Sequence, residues 1–300
     1  MKIGVMVGEG TGAPPVASEV VERTRQAEAL GLDTAWIAQI ALDAITAAAA
    51  AGQVTERIEI GTAVVPTYTR HPYAMAQAAG TAQDACGGRF TLGIGLSHQM
   101  VIEGMFGLSY EKPVAHMREY LEVLAPLARG EELVHEGPAY TARIQHVFAM
   151  GVEFPVLVAA LGPMMLRLTG RLAGGTITWA TGLKTLESFV VPTLRAAAQE
   201  AGRPEPRVVA GFPVLVTDDV ERGRQASIAT FGHYKGVPSY RGMLDREGAD
   251  GVEDVAILDD ERAVRAELGR LRDAGVTDLC VFPFEDVPGA GQRTLEFLGS

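Results

Sequence analysis

The 300-residue chain is short of several things, and each shortage closes off a class of function. It has two cysteines, Cys86 and Cys280, far apart and in no Cys-x-x-Cys or Cys–His cluster. That argues against a disulfide scaffold and a zinc site, and reads as two small buried hydrophobes. Positive charge is scarce too, since 26 Lys and Arg against 37 Asp and Glu leave a net charge of −11. Nucleic acid and anionic membranes bind basic faces, so neither is an expected partner and a small molecule is. No apolar run approaches the ~20 residues of a membrane span. The run Ile3–Val7 behind Met1-Lys2 is too short for a signal peptide, so a cytoplasmic location is expected.

Motifs are missing as well. There is no Gly-x-x-x-x-Gly-Lys-Ser/Thr, no Gly-x-Ser-x-Gly and no His-Glu-x-x-His, which leaves P-loop, α/β-hydrolase and zincin chemistry without their signatures. The histidines His71, His98, His116, His135, His146 and His233 do not pair at metal-ligand spacing, so no metal is expected. Gly8-Glu-Gly-Thr-Gly-Ala13 has the form of a dinucleotide fingerprint, but Pro14-Pro15 follows it and the next strand ends at Ala38-Gln39 without an acid. A flexible loop is the better reading.

What is present is an alternation of short β-branched runs with longer amphipathic ones. Strands are expected at Ile3–Val7, Asp33–Ala38, Ile58–Pro66, Phe90–Gly95, Pro155–Ala160, Thr176–Trp179, Val208–Val216 and Asp278–Phe282. A helical pattern follows each one. Two stretches interrupt the alternation, Glu131–Val147, read as an excursion or hairpin, and Lys235–Val255, rich in Gly and charge. No change of composition marks a linker. The expectation is an α/β fold: a single (β/α)8 TIM barrel over residues 1–300, with insertions after strands 4 and 7.

In such a barrel the chemistry sits at the carboxyl ends of the strands. That selects Glu9, Gln39, the stretch 64–71, Leu96, Ser97, His98, Gln99, the stretch 161–164, the stretch 180–184 and the stretch 283–285. His98 stands out, because an imidazole titrating near pH 7 can give or take a proton; a surface loop histidine is the plainer alternative. Val64, Leu96, Met100, Phe106, Leu161, Met164 and Phe284 are candidates for a greasy pocket, and equally for ordinary core.

Three motifs carry a resemblance. Gly61-Thr-Ala-Val-Val-Pro66 with Arg70-His-Pro72, and Gly87-Gly-Arg-Phe-Thr-Leu-Gly-Ile-Gly95, resemble the third and fourth strands of the luciferase-like flavin and deazaflavin oxidoreductases. Pro155-Val-Leu-Val-Ala-Ala-Leu-Gly-Pro-Met164 with Ala173-Gly-Gly-Thr176 resembles that family's fifth strand and cofactor loop. Pro238–Gly248 and Asp278–Phe284 resemble an actinobacterial, F420-dependent branch, in keeping with a chain whose only lysines are Lys2, Lys112, Lys184 and Lys235 and whose arginine excess suggests a GC-rich genome.

The resemblance implies an F420-dependent oxidoreductase, usually a homodimer, that transfers a hydride between the deazaflavin and a small organic substrate with an activated C=C, C=N or alcohol/carbonyl group. FMN is the alternative cofactor, with luciferase-type monooxygenation; a deazaflavin carrier without turnover is the non-enzyme alternative. It implies a non-prolyl cis peptide at Ala63-Val64 behind the ring, and a cofactor site of Gln39, Ala63, Val64, Gly95, Leu96, Ser97, Ala160, Leu161, Gly162, Pro163, Met164 and Thr181. Arg70, Arg167, Arg171 and Lys184 are candidates to offset the charge of the F420 tail. The chain departs from the sugar-phosphate dehydrogenases of the family, with Gln39, His98 and Leu183 where those carry His, Glu and Lys. That argues against a sugar phosphate and leaves His98 or Glu9 as proton carrier.

Overall fold

The computed structural model describes residues 1–8, 15–145 and 152–300. In chain order the strands are β1 (Lys2–Met6), β2 (Thr34–Ile37), β3 (Glu59–Thr62), β4 (Val65–Pro66), β5 (Phe90–Gly95), β6 (Leu133–Glu136), β7 (Thr141–Ile144), β8 (Val156–Ala159), β9 (Gly175–Trp179), β10 (Arg207–Val216), β11 (Ile257–Asp259) and β12 (Asp278–Pro283). All pairs within the main sheet are parallel, and it closes when β12 pairs with β1 through Lys2 and Asp278. The result is an eight-stranded α/β barrel in which β3 and β4 together form the third stave.

The helices are α1 (Ala17–Ala29), α2 (Ala44–Gly52), α3 (Pro72–Ala85), α4 (Gln99–Gly104), α5 (Pro113–Ala128), α6 (Pro163–Leu172), α7 (Leu183–Thr185), α8 (Val191–Glu200), α9 (Val220–Phe231), α10 (Pro238–Glu247), α11 (Glu261–Asp273) and α12 (Ala290–Leu298). Local chemistry starts several of them. Asp43, Asp219 and Asp260 cap α2, α9 and α11 by accepting from backbone N–H groups of the first turn. Pro72, Pro113, Pro163 and Pro238 occupy first helical positions, where the missing N–H costs nothing.

Side chains alternate along each strand, so the barrel interior is built in layers. The amino-terminal layer is polar: Arg207 donates to Glu59 (2.7 Å) and to Asp278, while Lys2 and Thr91 also bond Glu59 at 2.7 Å. Above it lies an apolar layer of Met6, Trp36, Leu157, Ile177, Val209 and Cys280. Trp36 is fully buried and needs glycines beside it, since a Cβ on Gly61 would lie 2.3 Å from its indole ring.

The structure differs from the sequence reading in four places. The third strand is broken between Thr62 and Val65. The excursion at 235–255 is ordered as a helix, α10, started by Pro238 and ended by Gly248 at φ 85°. Helical structure after β9 begins at Leu183 and passes through a π turn, Leu186–Val190, ahead of Pro192, whose missing N–H disrupts regular i→i−4 bonding. The short elements α4 and β11 are additional. The hairpin expected in 131–147 is present as antiparallel β6 and β7.

Candidate active site

The carboxyl-end layer of the barrel forms the floor of its mouth, and its two halves are unlike. From β2 to β8 it is built of small residues: Ala38, Ala63, Gly95 and Ala159. From β9 to β12 it is aromatic, with Trp179 and Phe282 meeting at 4.0 Å between ring centroids. Gly211 on the intervening β10 makes this possible, because a Cβ there would lie 3.2 Å from Trp179 and 3.4 Å from Phe282.

The small half carries a bulge. The Ala63–Val64 peptide is cis, as the resemblance implies, and the chain leaves the sheet there before Val65 and Pro66 resume pairing with Ile94 and Gly95. Thr62 Oγ1 donates to the Gly93 carbonyl (2.8 Å) and accepts from the Gly93 N–H (2.9 Å). Both glycines of β5 are needed for the fit. A Cβ on Gly93 would lie 2.0 Å from the Thr62 carbonyl oxygen, and one on Gly95 would lie 2.6 Å from Val64 Cγ2. Ala63 and Val64 are left half-buried, packed on the barrel interior with some surface open.

The remaining sequence candidates surround this floor. Leu96, Ser97 and His98 follow β5, with Ser97 at φ 59° and its carbonyl accepting from the Tyr110 hydroxyl at 3.2 Å. Gln39 follows β2 and is half-buried, its side-chain oxygen 3.4 Å from the Ala44 N–H. Ala160 is buried, Leu161 and Gly162 are half-buried, and Pro163 and Met164 are exposed at the start of α6, where no side chain caps the first turn. Thr181 is fully buried and its hydroxyl donates to the Trp179 carbonyl (3.4 Å), so it braces the turn after β9. Glu9 lies outside the described residues. Of the basic candidates, Arg70 is bonded to Asp43 and Arg171 to Glu200, while Arg167 and Lys184 are exposed.

His98 stands at the N-cap position of α4 without making a capping bond. Its ring meets Tyr240 of α10 edge-on at 5.6 Å, and burial lowers its pKa below the usual 6.5, which keeps the imidazole neutral at pH 7. Sequence reasoning missed a second imidazole. His116 of α5 is stacked on Tyr68 at 4.0 Å and bonded to Thr67 Oγ1 at 2.9 Å; burial lowers its pKa despite nearby Glu119, and burial pushes the Tyr68 hydroxyl up to about 12. His116 arrives long after β5 in sequence, so strand-end position gives no hint of it. The aromatic half was missed for another reason: Trp179 and Phe282 stand at the ends of different strands, and nothing local signals that they meet. Of the candidates for a greasy pocket, Met100, Phe106 and Met164 are exposed, and Phe284 is buried against Phe231.

Among the described residues no group of three or more His, Cys, Asp or Glu is placed to hold a metal ion, and no helix is long and apolar enough to cross a membrane. A cavity of about 470 Å³ lies outside the barrel between α7, β11 and α11; in its lining Glu187, Glu247, Asp254, Asp259 and Glu267 outnumber Lys184 and Arg270.

Comparison with known proteins matches this architecture. A Mycobacterium tuberculosis relative whose name is that of a coenzyme F420-dependent oxidoreductase is 29% identical over 242 residues, 73% of this chain and 68% of its own. The solved coenzyme F420-dependent tetrahydromethanopterin reductase of Methanopyrus kandleri superposes with a TM-score of 0.80 at 23% identity, over 100% of this chain and 97% of that one. The FMN complex of the oxygenating constituent of 3,6-diketocamphane monooxygenase, from Pseudomonas putida, gives 0.79 at 19% identity, again over 100% and 97%. At those identities the two structures speak to the fold alone. The sequence profile of the luciferase-like monooxygenases matches residues 1–287, and the chain belongs to that family.

Proposed function

We propose that the protein is an F420-dependent oxidoreductase that moves a hydride between the deazaflavin and a small organic substrate at the mouth of the barrel. The observation that carries the reading is the small half of the floor. Ala38, Ala63, Val64, Gly95 and Ala159 make a low, apolar shelf suited to a flat ring, and the uncapped start of α6 lies beside it. Backbone N–H groups at a helix start suit an anionic cofactor tail. The shelf and helix start fit a deazaflavin or a flavin; the name of the M. tuberculosis relative favours F420.

When bound, the deazaflavin supplies hydride chemistry at the carbon that replaces flavin N5 and reacts poorly with O₂. The protein's part is to position and to exclude water. Ala63, Val64 and Gly95 back the ring; Gln39, Leu96, Ser97, Ala160, Leu161 and Thr181 border it or brace its border; Gly162, Pro163 and Met164 hold the tail. His98, kept neutral by burial, accepts a proton in the direction of substrate oxidation, with Glu9 the other proposed proton carrier.

The second reading, an FMN-dependent monooxygenase, is supported by the luciferase-like monooxygenase family to which the chain belongs. Titration of cofactor-free protein with oxidised F420 and with FMN separates the two. The expected result is tight F420 binding that weakens as salt screens the tail. Tight binding of FMN alone moves the reading to oxygen chemistry, and binding of neither removes both. F420 binding without turnover on any acceptor leaves a carrier.

A further inference from the structure

We infer that the substrate is flat, conjugated and uncharged, and that it lies against the aromatic half of the floor, on Trp179 and Phe282. This rests on the hydride-transfer reading for what happens to the ligand, and on the structure for where it sits.

The chain is poor in aromatic residues, at 6%, yet one unbroken series of ring contacts rises from the floor on this side. Phe282 meets Trp179 at 4.0 Å; Trp179 meets Phe231 and Tyr234 at 5.5 and 5.4 Å; Tyr234 meets Tyr240 at 5.3 Å, and Tyr240 reaches His98. Four segments of the chain, β9, α9 with the turn after it, α10 and β12, converge to make it. Trp179, Phe282, Tyr234 and Tyr240 remain half-buried, so the series keeps open surface while the shelf opposite carries only small groups. Offset and edge-on ring contacts favour a planar π system over a saturated ring of the same outline.

Several groups on this side that could hold an anion are already engaged. The helix start at α7 has its Lys184 and Thr185 N–H groups taken by the Glu247 carboxylate, at 3.1 and 2.7 Å. Arg241 is bonded to Asp245 and to the carbonyls of Ala249 and Asp250. The Arg246 guanidinium lies 3.9 Å over the Phe189 ring. The rim points the same way, with Ile40, Met100, Met105 and Met164 each more than 60% exposed in the segments that follow β2, β5 and β8. An apolar rim of this kind admits an apolar ligand and offers little to a charged one.

The test uses three probes of one outline: 2-acetylnaphthalene, its fully saturated decalin analogue, and 2-naphthoate, titrated into the protein with and without oxidised F420. The ketone is expected to bind about tenfold tighter than the decalin analogue and more tightly than the carboxylate. Phe282→Leu and Trp179→Leu should each weaken ketone binding about tenfold. Trp179→Phe should retain most of it, and F420 affinity should be unchanged in all three variants. Equal binding of ketone and decalin, stronger binding of naphthoate, no ketone binding under either condition, or variants that bind the ketone as well as the parent would each overturn the inference. Failure of F420 to bind while the ketone still binds at Trp179 would sink the cofactor reading and leave this one standing.

Discussion

Thr62 sits where β3 stops pairing with β5, and its hydroxyl takes up both backbone groups of Gly93 that the ladder leaves free. A buried N–H or C=O that loses its partner costs about 1–3 kcal/mol, so one side chain here satisfies two such groups. Thr62→Val keeps the volume and removes the hydroxyl. It is expected to lower unfolding free energy by about 2–4 kcal/mol, read from the midpoint of urea denaturation. A loss under about 0.5 kcal/mol would mean that Gly93 finds other partners. The shelf therefore depends on a residue that no cofactor need touch. Gly93 and Gly95 are legible in the sequence because a glycine at every second position of a strand demands a reason, and close approach by a neighbour is the common one. Thr62 is not legible, since a buried threonine in a strand is ordinary β-former chemistry.

At the scale of elements, the eight staves could be read because each is a short β-branched run with a glycine or an acid near its ends, and because helices of ordinary length separate them. The elements that escaped are short or mostly polar. The six residues of α4 and three of β11 fall below the length at which periodicity registers, and α10 presents Met243 and Leu244 alone as buried residues. The same limit hid the aromatic half of the floor. Trp179 and Phe282 lie at the ends of different strands, while Tyr234 comes just before the stretch read as an excursion and Tyr240 lies within it, so their convergence is a tertiary fact with no local signal. Docking of α10 gives the second test. Its last residue, Glu247, accepts from the Lys184 and Thr185 N–H groups and so joins α10 to the start of α7. Glu247→Ala should cost about 0.5–2 kcal/mol, as loss of a helix cap does. Amide exchange should quicken in α10 and at 183–190 while α2 and α3 keep their protection. Uniform quickening across the chain would show a global loss of stability in place of a released latch.

For the whole molecule, the polar layer at the amino end of the barrel ties together staves that are remote in sequence. Arg207 on β10 bonds Glu59 on β3 and Asp278 on β12, and Glu59 in turn bonds Lys2 on β1 and Thr91 on β5. Burial raises the Glu59 carboxyl, but the Arg207 charge, with the bonds from Arg207, Lys2 and Thr91, outweighs it and holds the group below its ordinary 4.5. The sign of the pH dependence follows. A carboxyl whose folded pKa is depressed stabilises the fold at pH above 4.5, and that contribution is lost as pH falls through the folded value. Arg207→Met removes the cation and leaves Glu59 and the buried Asp278 carboxylate without it, a change expected to cost about 3–5 kcal/mol at pH 7. In the variant burial acts on Glu59 with less opposition, so protonation becomes favourable to the fold and the variant loses less than the parent on acidification. Urea denaturation of both proteins from pH 7 down to pH 4 should therefore show a wide gap that narrows toward the acid end. A gap that stays constant across that range would mean that Arg207 stabilises the barrel by packing its alkyl stem and not by its charge.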